Sequence, residues 1–194
     1  MLNKETGVSL IELIISIVLM SLVVLGFFSI ELFSRQHVIG AEERSKVQNE
    51  ISYAIEYMSK YVQQASGDIN NPPITRYPAS GTQSGFRVRV DLNSPKTPNN
   101  LTDDTWVNFY LSGNAIISNV SGVSTTLTSR VVSGFSAATM PASPTSGFYV
   151  NITDNGAAVD IGLVGRHNPA VAASADNPQV AKKTRLVNPS TSLN

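Results

Sequence analysis

Hydrophobic positions along the chain fall into three successive patterns. The first is a run of 18 residues without a charge, Leu13 to Ile30, of which thirteen are Leu, Ile, Val or Phe. At roughly −0.3 to −0.6 kcal/mol each on an insertion scale, these thirteen favour a membrane helix by about 4–8 kcal/mol. At 1.5 Å per residue the run is about 27 Å long, close to the thickness of a hydrocarbon core. A secretory signal has a shorter apolar region, about 7–15 residues, and ends at a small-residue cleavage site. Here Ile30, Glu31, Leu32, Phe33 and Ser34 carry a helical pattern straight on, with no such site. The run predicts a transmembrane helix.

The second pattern has a helical period. Val47, Ile51, Ala54, Ile55, Met58, Tyr61, Val62 and Ala65 recur at spacings of three and four, while Glu42, Glu43, Arg44, Lys46, Glu50, Glu56 and Lys60 lie largely off that stripe. The stripe predicts an amphipathic continuation of the same helix. Glu42 with Lys46 and Glu56 with Lys60 are spaced for i,i+4 pairs, Gly40 is a candidate bend, and Gly67 with Pro72 and Pro73 marks the end.

The third pattern has period two. Asn70 to Gly85 is rich in Pro and hydroxyl residues and reads as a loop. Then Phe86, Val88 and Val90 alternate with Arg87 and Arg89, and Val107, Phe109 and Leu111 share one face of a strand. Ser112-Gly113-Asn114 is a turn, and Ala115 to Val120 returns as the partner strand. Leu127 to Phe135 offers a further strand, interrupted by Gly134. Phe148, Val150 and Ile152 lead into Asp154-Asn155-Gly156, and Val159, Ile161 and Leu163 lead out. Asn-Gly tolerates the positive φ that a type I′ hairpin turn requires. Leu186 and Val187 suit a last short strand behind Lys182, Lys183 and Arg185, a cluster that reads as a solvated tail. A long helix followed by antiparallel strands gives an α+β protein, the helix packed on the sheet.

Composition narrows the function. Beyond the apolar run, about 160 residues remain, enough for one soluble domain with a core. Fourteen basic and fourteen acidic residues give zero formal net charge, so no nucleic-acid footprint is evident. There is no Cys, which removes disulfides and thiolate chemistry and leaves packing to hold the domain. His37 and His167 are the only histidines, and neither has a metal-ligand spacing. No Gly-x-Ser-x-Gly and no phosphate loop occurs. The chain is therefore expected to be no enzyme and to carry no cofactor and no metal. Arg87 and Arg89 are expected on the solvated face of a half-buried strand.

Glu12 does not fit an ordinary membrane helix. A carboxylate in the first turns of an apolar span is costly and marks a functional candidate. It belongs to Gly7-Val8-Ser9-Leu10-Ile11-Glu12, followed in register by Leu13 and the apolar run. This stretch resembles the N-terminus of type IV pilins. In that family a short polar leader ends in Gly, and a prepilin peptidase cuts after it on the cytoplasmic side. The new N-terminal residue is then N-methylated, and a Glu five residues into the mature chain lies in the apolar helix. The resemblance implies cleavage between Gly7 and Val8, N-methylation of Val8, and an assembly role for Glu12. Val8 stands where Phe or Met is more usual, and the leader holds both Lys4 and Glu5.

The implied organisation is a leader over 1–7, a transmembrane and assembly helix over 8–33, an amphipathic helix over 34–66 and a β-rich soluble domain over 67–194. Ile51 to Ser59, with Val107-Asn108-Phe109-Tyr110-Leu111, is similar to the W-type minor pilins of type IV pili and the J-type minor pseudopilins of type II secretion. Such subunits are expected in the complex that starts a fibre at its tip. Their partners would be other pilin or pseudopilin subunits, prepilin peptidase, the inner-membrane assembly platform and membrane lipid. The resemblance also implies a single-pass inner-membrane protein with its soluble domain outside the cytoplasm, in the periplasm, and later in the fibre. Asp103 and Asp104 have a composition seen in calcium sites of some pseudopilins, but two adjacent acids without a coordinating loop predict no metal. A membrane-anchored adhesin or binding protein with an uncleaved anchor is the alternative.

Overall fold

A computed structural model of the chain describes residues 9–68, 70–97, 100–174 and 177–189, apart from the side chain of Gln36. The helix α1 runs over Leu10–Gln63 and continues through Gly40. The chain divides into two compact units, one through Ala41 and one from Glu42.

In the first unit the described apolar side chains are largely uncovered. Leu10, Ile14, Met20, Leu25, Phe28 and Phe33 all stand exposed. A helix that is apolar all round needs lipid or other helices as solvent. Its most apolar 18-residue window has mean hydropathy 2.8, and among the described residues it is the one helix long and apolar enough to cross a bilayer. The hydroxyls of Ser16, Ser21 and Ser29 donate to the carbonyls of Glu12, Ile17 and Leu25 at 2.7, 2.8 and 2.9 Å. These back-bonds leave the polar atoms in the run satisfied within the helix, as a bilayer interior demands.

In the second unit, Val47, Ile51, Ala54, Ile55, Met58, Val62 and Ala65 of α1 are buried, which is the predicted stripe, with Tyr61 packed at its margin. Two sheets share that core. The first is an antiparallel meander in the order β1 (Ile74–Tyr77), β2 (Gly85–Val90), β3 (Thr105–Ser112), β4 (Ala115–Val120) and β5 (Val123–Thr128). Phe86 pairs with Phe109 and Val88 with Val107, so the alternating apolar residues meet on one face. The second sheet has the order β6 (Phe135–Ser136), β7 (Phe148–Thr153), β8 (Ala158–Arg166) and β9 (Gln179–Val187). All its pairs are antiparallel except β6 with β7. Phe148, Val150, Ile161 and Leu163 are its core residues. The result is the α+β arrangement expected of a pilin, a long N-terminal helix packed on antiparallel sheet.

Turn chemistry places the hairpins. Gly113 has φ 60° in the β3–β4 turn, where Ser112 pairs with Ala115. Between β7 and β8, Asn155 and Gly156 have φ 51° and 82°, and the Ala157 N–H donates to the Asp154 carbonyl at 3.0 Å. Those are the positive dihedrals of the expected type I′ turn. Asp154 adds a third, at φ 53°.

Several expectations need correction. The helix ends at Gln63, ahead of Gly67. The Asn70–Gly85 loop contains β1. The strand expected from Leu127 begins instead at Val123 and stops at Thr128, and only Phe135 and Ser136 resume pairing. Lys182, Lys183 and Arg185 lie inside the nine-residue β9, so they are not a tail. Glu42–Lys46 and Glu56–Lys60 form no ion pairs; Glu31 and Arg35 do, at 2.6 Å.

Candidate functional site

Gly7 and Val8 lie outside the described residues. Description begins at Ser9, and Glu12 sits in the first turn of α1. The Ser9 N–H donates to Glu12 Oε2 at 2.9 Å, and the Ile11 N–H donates to Ser9 Oγ at 3.3 Å. The Ser9 carbonyl accepts from the Leu13 N–H at 3.2 Å. Ser9 is thus the N-cap and Glu12 the N3 residue of a capping box. The reciprocal bonds satisfy two N–H groups that the helix cannot pair itself. The carboxylate also lies at the positive end of the helix dipole. Among the described residues, Glu12 Oε1 makes no hydrogen bond.

In the second unit the arginines of β2 are only half exposed. The Arg87 guanidinium lies 4.2 Å and that of Arg89 4.8 Å from the centre of the Trp106 ring. Arg87 Nε donates to Thr75 Oγ1 at 2.9 Å. They are packed, partly desolvated cations on the sheet's outer face. Asp104 accepts a hydrogen bond from the Ser66 hydroxyl, and its buried Oδ1 has no partner among the described residues. Asp103 accepts from Thr97 Oγ1 at 2.9 Å. Among the described residues, no three His, Cys, Asp or Glu side chains are grouped to hold a metal ion.

Two features escaped the sequence pattern. The first is a network around Arg130. Its Nε donates to Glu50 Oε1 at 2.7 Å, and its Nη1 lies 2.9 Å from His167 Nδ1 and 3.0 Å from the His167 carbonyl. Thr128 Oγ1 donates to Glu50 Oε2 at 3.0 Å, and His167 Nε2 lies 3.5 Å from Glu43 Oε1. A guanidinium can only donate, so His167 Nδ1 accepts and the proton of the neutral ring sits on Nε2, toward Glu43. Nothing in the local sequence marks Arg130, because its partners are distant in the chain. The second feature is a pair of perturbed phenols. Tyr61 is pushed up to about 12 by the hydrogen bond it shares with Tyr57, which holds the proton on Tyr61, by burial and by the Tyr57 charge that would form beside it. Burial of Tyr149 raises its pKa, but the N–H groups of Ser146 and Thr145, each 2.8 Å from its oxygen, outweigh that and hold the phenol below its usual range.

Residues 2–28 match the family model described as the prokaryotic N-terminal methylation motif. No curated protein and no solved structure shows significant similarity to the chain. The matched stretch contains Gly7, Val8 and Glu12, and the motif indicates a type IV pilin-like prepilin. The family carrying this motif is structural rather than enzymatic.

Proposed function

We propose that the chain is a minor pilin or pseudopilin, cut between Gly7 and Val8 and assembled into, or at the tip of, a type IV pilus or a type II secretion pseudopilus. The supporting observation is the methylation motif over residues 2–28, running directly into a helix whose apolar side chains stand exposed on every side. Such a segment is soluble in lipid and, by the same surface, in a bundle of identical helices. In this reading prepilin peptidase removes the leader, Val8 becomes the methylated N-terminus, and Glu12 pairs with the amino group of a neighbouring subunit. The soluble domain stands on the far side of the inner membrane. No catalytic group is required, since the function is assembly.

Processing gives the direct test. Coexpression with an active prepilin peptidase should shorten the chain by the seven residues Met1 to Gly7, as read by intact mass of the membrane fraction. A further increment of one methyl group should appear on Val8. A chain that keeps Met1 or Leu2 beside a peptidase shown to cleave a control prepilin overturns the reading and favours an uncleaved anchor.

A further inference from the structure

We propose that β5 is a strand-pairing edge, along which a second copy of this chain adds its own β5 in antiparallel register. The two sheets end in four edge strands among the described residues, β1, β5, β6 and β9. An edge presents unpaired N–H and C=O groups and is ordinarily blunted by shortness, Pro or Lys. β6 has two residues. β1 has four and lies between Pro73 and Pro78. The β7–β8 turn also lies against it, where a Cβ on Gly156 would be 2.6 Å from the Ile74 carbonyl oxygen. β9 carries Lys182, Lys183 and Arg185, all exposed. β5 has none of these devices. It reads Val-Ser-Thr-Thr-Leu-Thr, its first four residues are exposed, and the chain holds no charged residue between Asp104 and Arg130.

The free groups of β5 follow from its turn. Ser121 and Gly122, at φ 50° and 87°, make a two-residue turn closed by Val120 and Val123. That closing pair is hydrogen-bonded, and such pairs alternate along an antiparallel ladder. Val123 and Thr125 therefore bond to β4, while the N–H and C=O groups of Ser124 and Thr126 point away from it. Neither residue bonds to backbone elsewhere among the described residues. The shift in register at Ile116/Ile117 ends the regular ladder just past Thr126. The free edge is thus short, and only the self-pairing centred on Thr125 engages both residues of both copies. With Thr125 opposite Thr125, Ser124 of each copy faces Thr126 of the other, and these pairs exchange about four backbone bonds. Val123, 70 % exposed, then comes beside Leu127 of the second copy, at the margin of the core. A second copy fits this edge better than a charged partner, because the edge offers no charge to complement. Unlike β9, it also sets no like charges opposite one another when it meets itself. A two-fold contact of this kind closes at two copies. The inference goes beyond the assembly role and does not depend on it, because the unprocessed chain carries the same strand.

The absence of Cys lets the register be read directly by cross-linking. The Cα atoms of a facing, non-hydrogen-bonded pair lie about 4.5 Å apart, inside the span of about 4.4–6.8 Å that a disulfide bridges. The full chain in detergent micelles, carrying Thr125→Cys, is treated with copper phenanthroline as oxidant. It should form a disulfide-linked dimer at least about tenfold faster than the chain carrying Lys183→Cys on the exposed edge β9. Light scattering of the native chain in the same micelles should give a dimer. Thr125→Lys sets like charges opposite one another and should return the chain to a monomer with an unchanged thermal midpoint. An equal mixture of Thr125→Lys and Thr125→Glu should restore the dimer. Cross-linking of Thr125→Cys no faster than that of Lys183→Cys overturns the proposal, as does a native chain that is monomeric or larger than a dimer. So does a dimer that persists in Thr125→Lys, which would put the contact in the apolar helix.

Discussion

Glu12 serves its own helix before it serves any neighbour. One carboxylate oxygen closes the capping box with Ser9, and the other has no partner among the described residues. Under the proposed function that second oxygen meets the amino group of an adjacent Val8. In a low-dielectric helix bundle either charge alone is costly and the pair much less so. The two roles separate by substitution, because Gln can replace Glu in a capping box. Glu12→Gln should therefore keep helix content, insertion and cleavage, yet lower recovery of assembly partners in a pull-down of processed protein. Glu12→Val loses cap and charge together. If the cap alone matters, Glu12→Gln assembles like wild type and only Glu12→Val fails. The Ser-x-x-Glu spacing is present in the sequence, but inside an apolar run it reads as a lone costly charge. Tyr61 gives a second test at this scale. With its pKa raised from 10.0 to about 12, the folded chain holds that proton more tightly than the unfolded chain does. The associated stability is complete below pH about 10 and is lost as pH rises toward 12. Absorbance of tyrosinate should show one late-titrating phenol, and Tyr57→Phe should bring it back toward the ordinary value.

Among the elements, α1 and β8 illustrate how closely a helix can approach a strand. A Cβ on Gly165 would lie 2.8 Å from Ile51 Cδ1, 2.9 Å from the Arg130 carbonyl and 3.1 Å from Val47 Cγ1. The glycine makes room for the fully buried Ile51. Ile51→Ala should cost about 2–5 kcal/mol in denaturant unfolding of the full chain in micelles. Gly165→Ala should cost about 1–3 kcal/mol by overpacking, and the double variant should cost less than the sum, since the smaller residue 51 removes the shortest of the three close approaches, though not that to the Arg130 carbonyl. Additive costs would show that the two positions do not touch. Legibility among the elements follows burial. In β2, β3, β7 and β8 one face is anchored in the core, and period two is plain in the sequence. β5 reads Val-Ser-Thr-Thr-Leu-Thr, and its first four residues are exposed. An edge strand held mainly by backbone bonds to one neighbour need not alternate. β1 has four residues and lies close after Pro72 and Pro73, and β9 carries its lysines on an exposed edge, so their composition imitates loop and tail.

At the scale of the whole molecule, the Arg130 network ties parts that no short motif could connect. Glu43 and Glu50 come from α1, Thr128 from the end of β5, and His167 from just beyond β8. The guanidinium joins the helix to the end of β8, Glu50 carries the connection on to Thr128 of β5, and the Arg166 N–H donates to the Arg130 carbonyl at 2.9 Å. Geometry alone does not decide what such a contact contributes. Glu31 and Arg35 approach to 2.6 Å, as close as Glu50 and Arg130 at 2.7 Å, but their side chains are 55 % and 72 % exposed against 36 % and 25 %. The exposed pair gains little over water and should contribute at most about 0.5 kcal/mol. Removing Arg130 leaves a half-buried carboxylate, a carbonyl and a ring nitrogen without their donor, a loss of about 1–3 kcal/mol. Arg130→Gln and Arg35→Gln, compared by urea unfolding of the full chain in the same micelles, should therefore differ clearly, with only the former lowering the midpoint. His167→Gln should fall between them, because Arg130 keeps Glu50 and the backbone carbonyl of residue 167. An Arg130→Gln midpoint equal to that of Arg35→Gln would mean that the two sheets and the helix are held by their apolar core alone, with the network as a surface decoration.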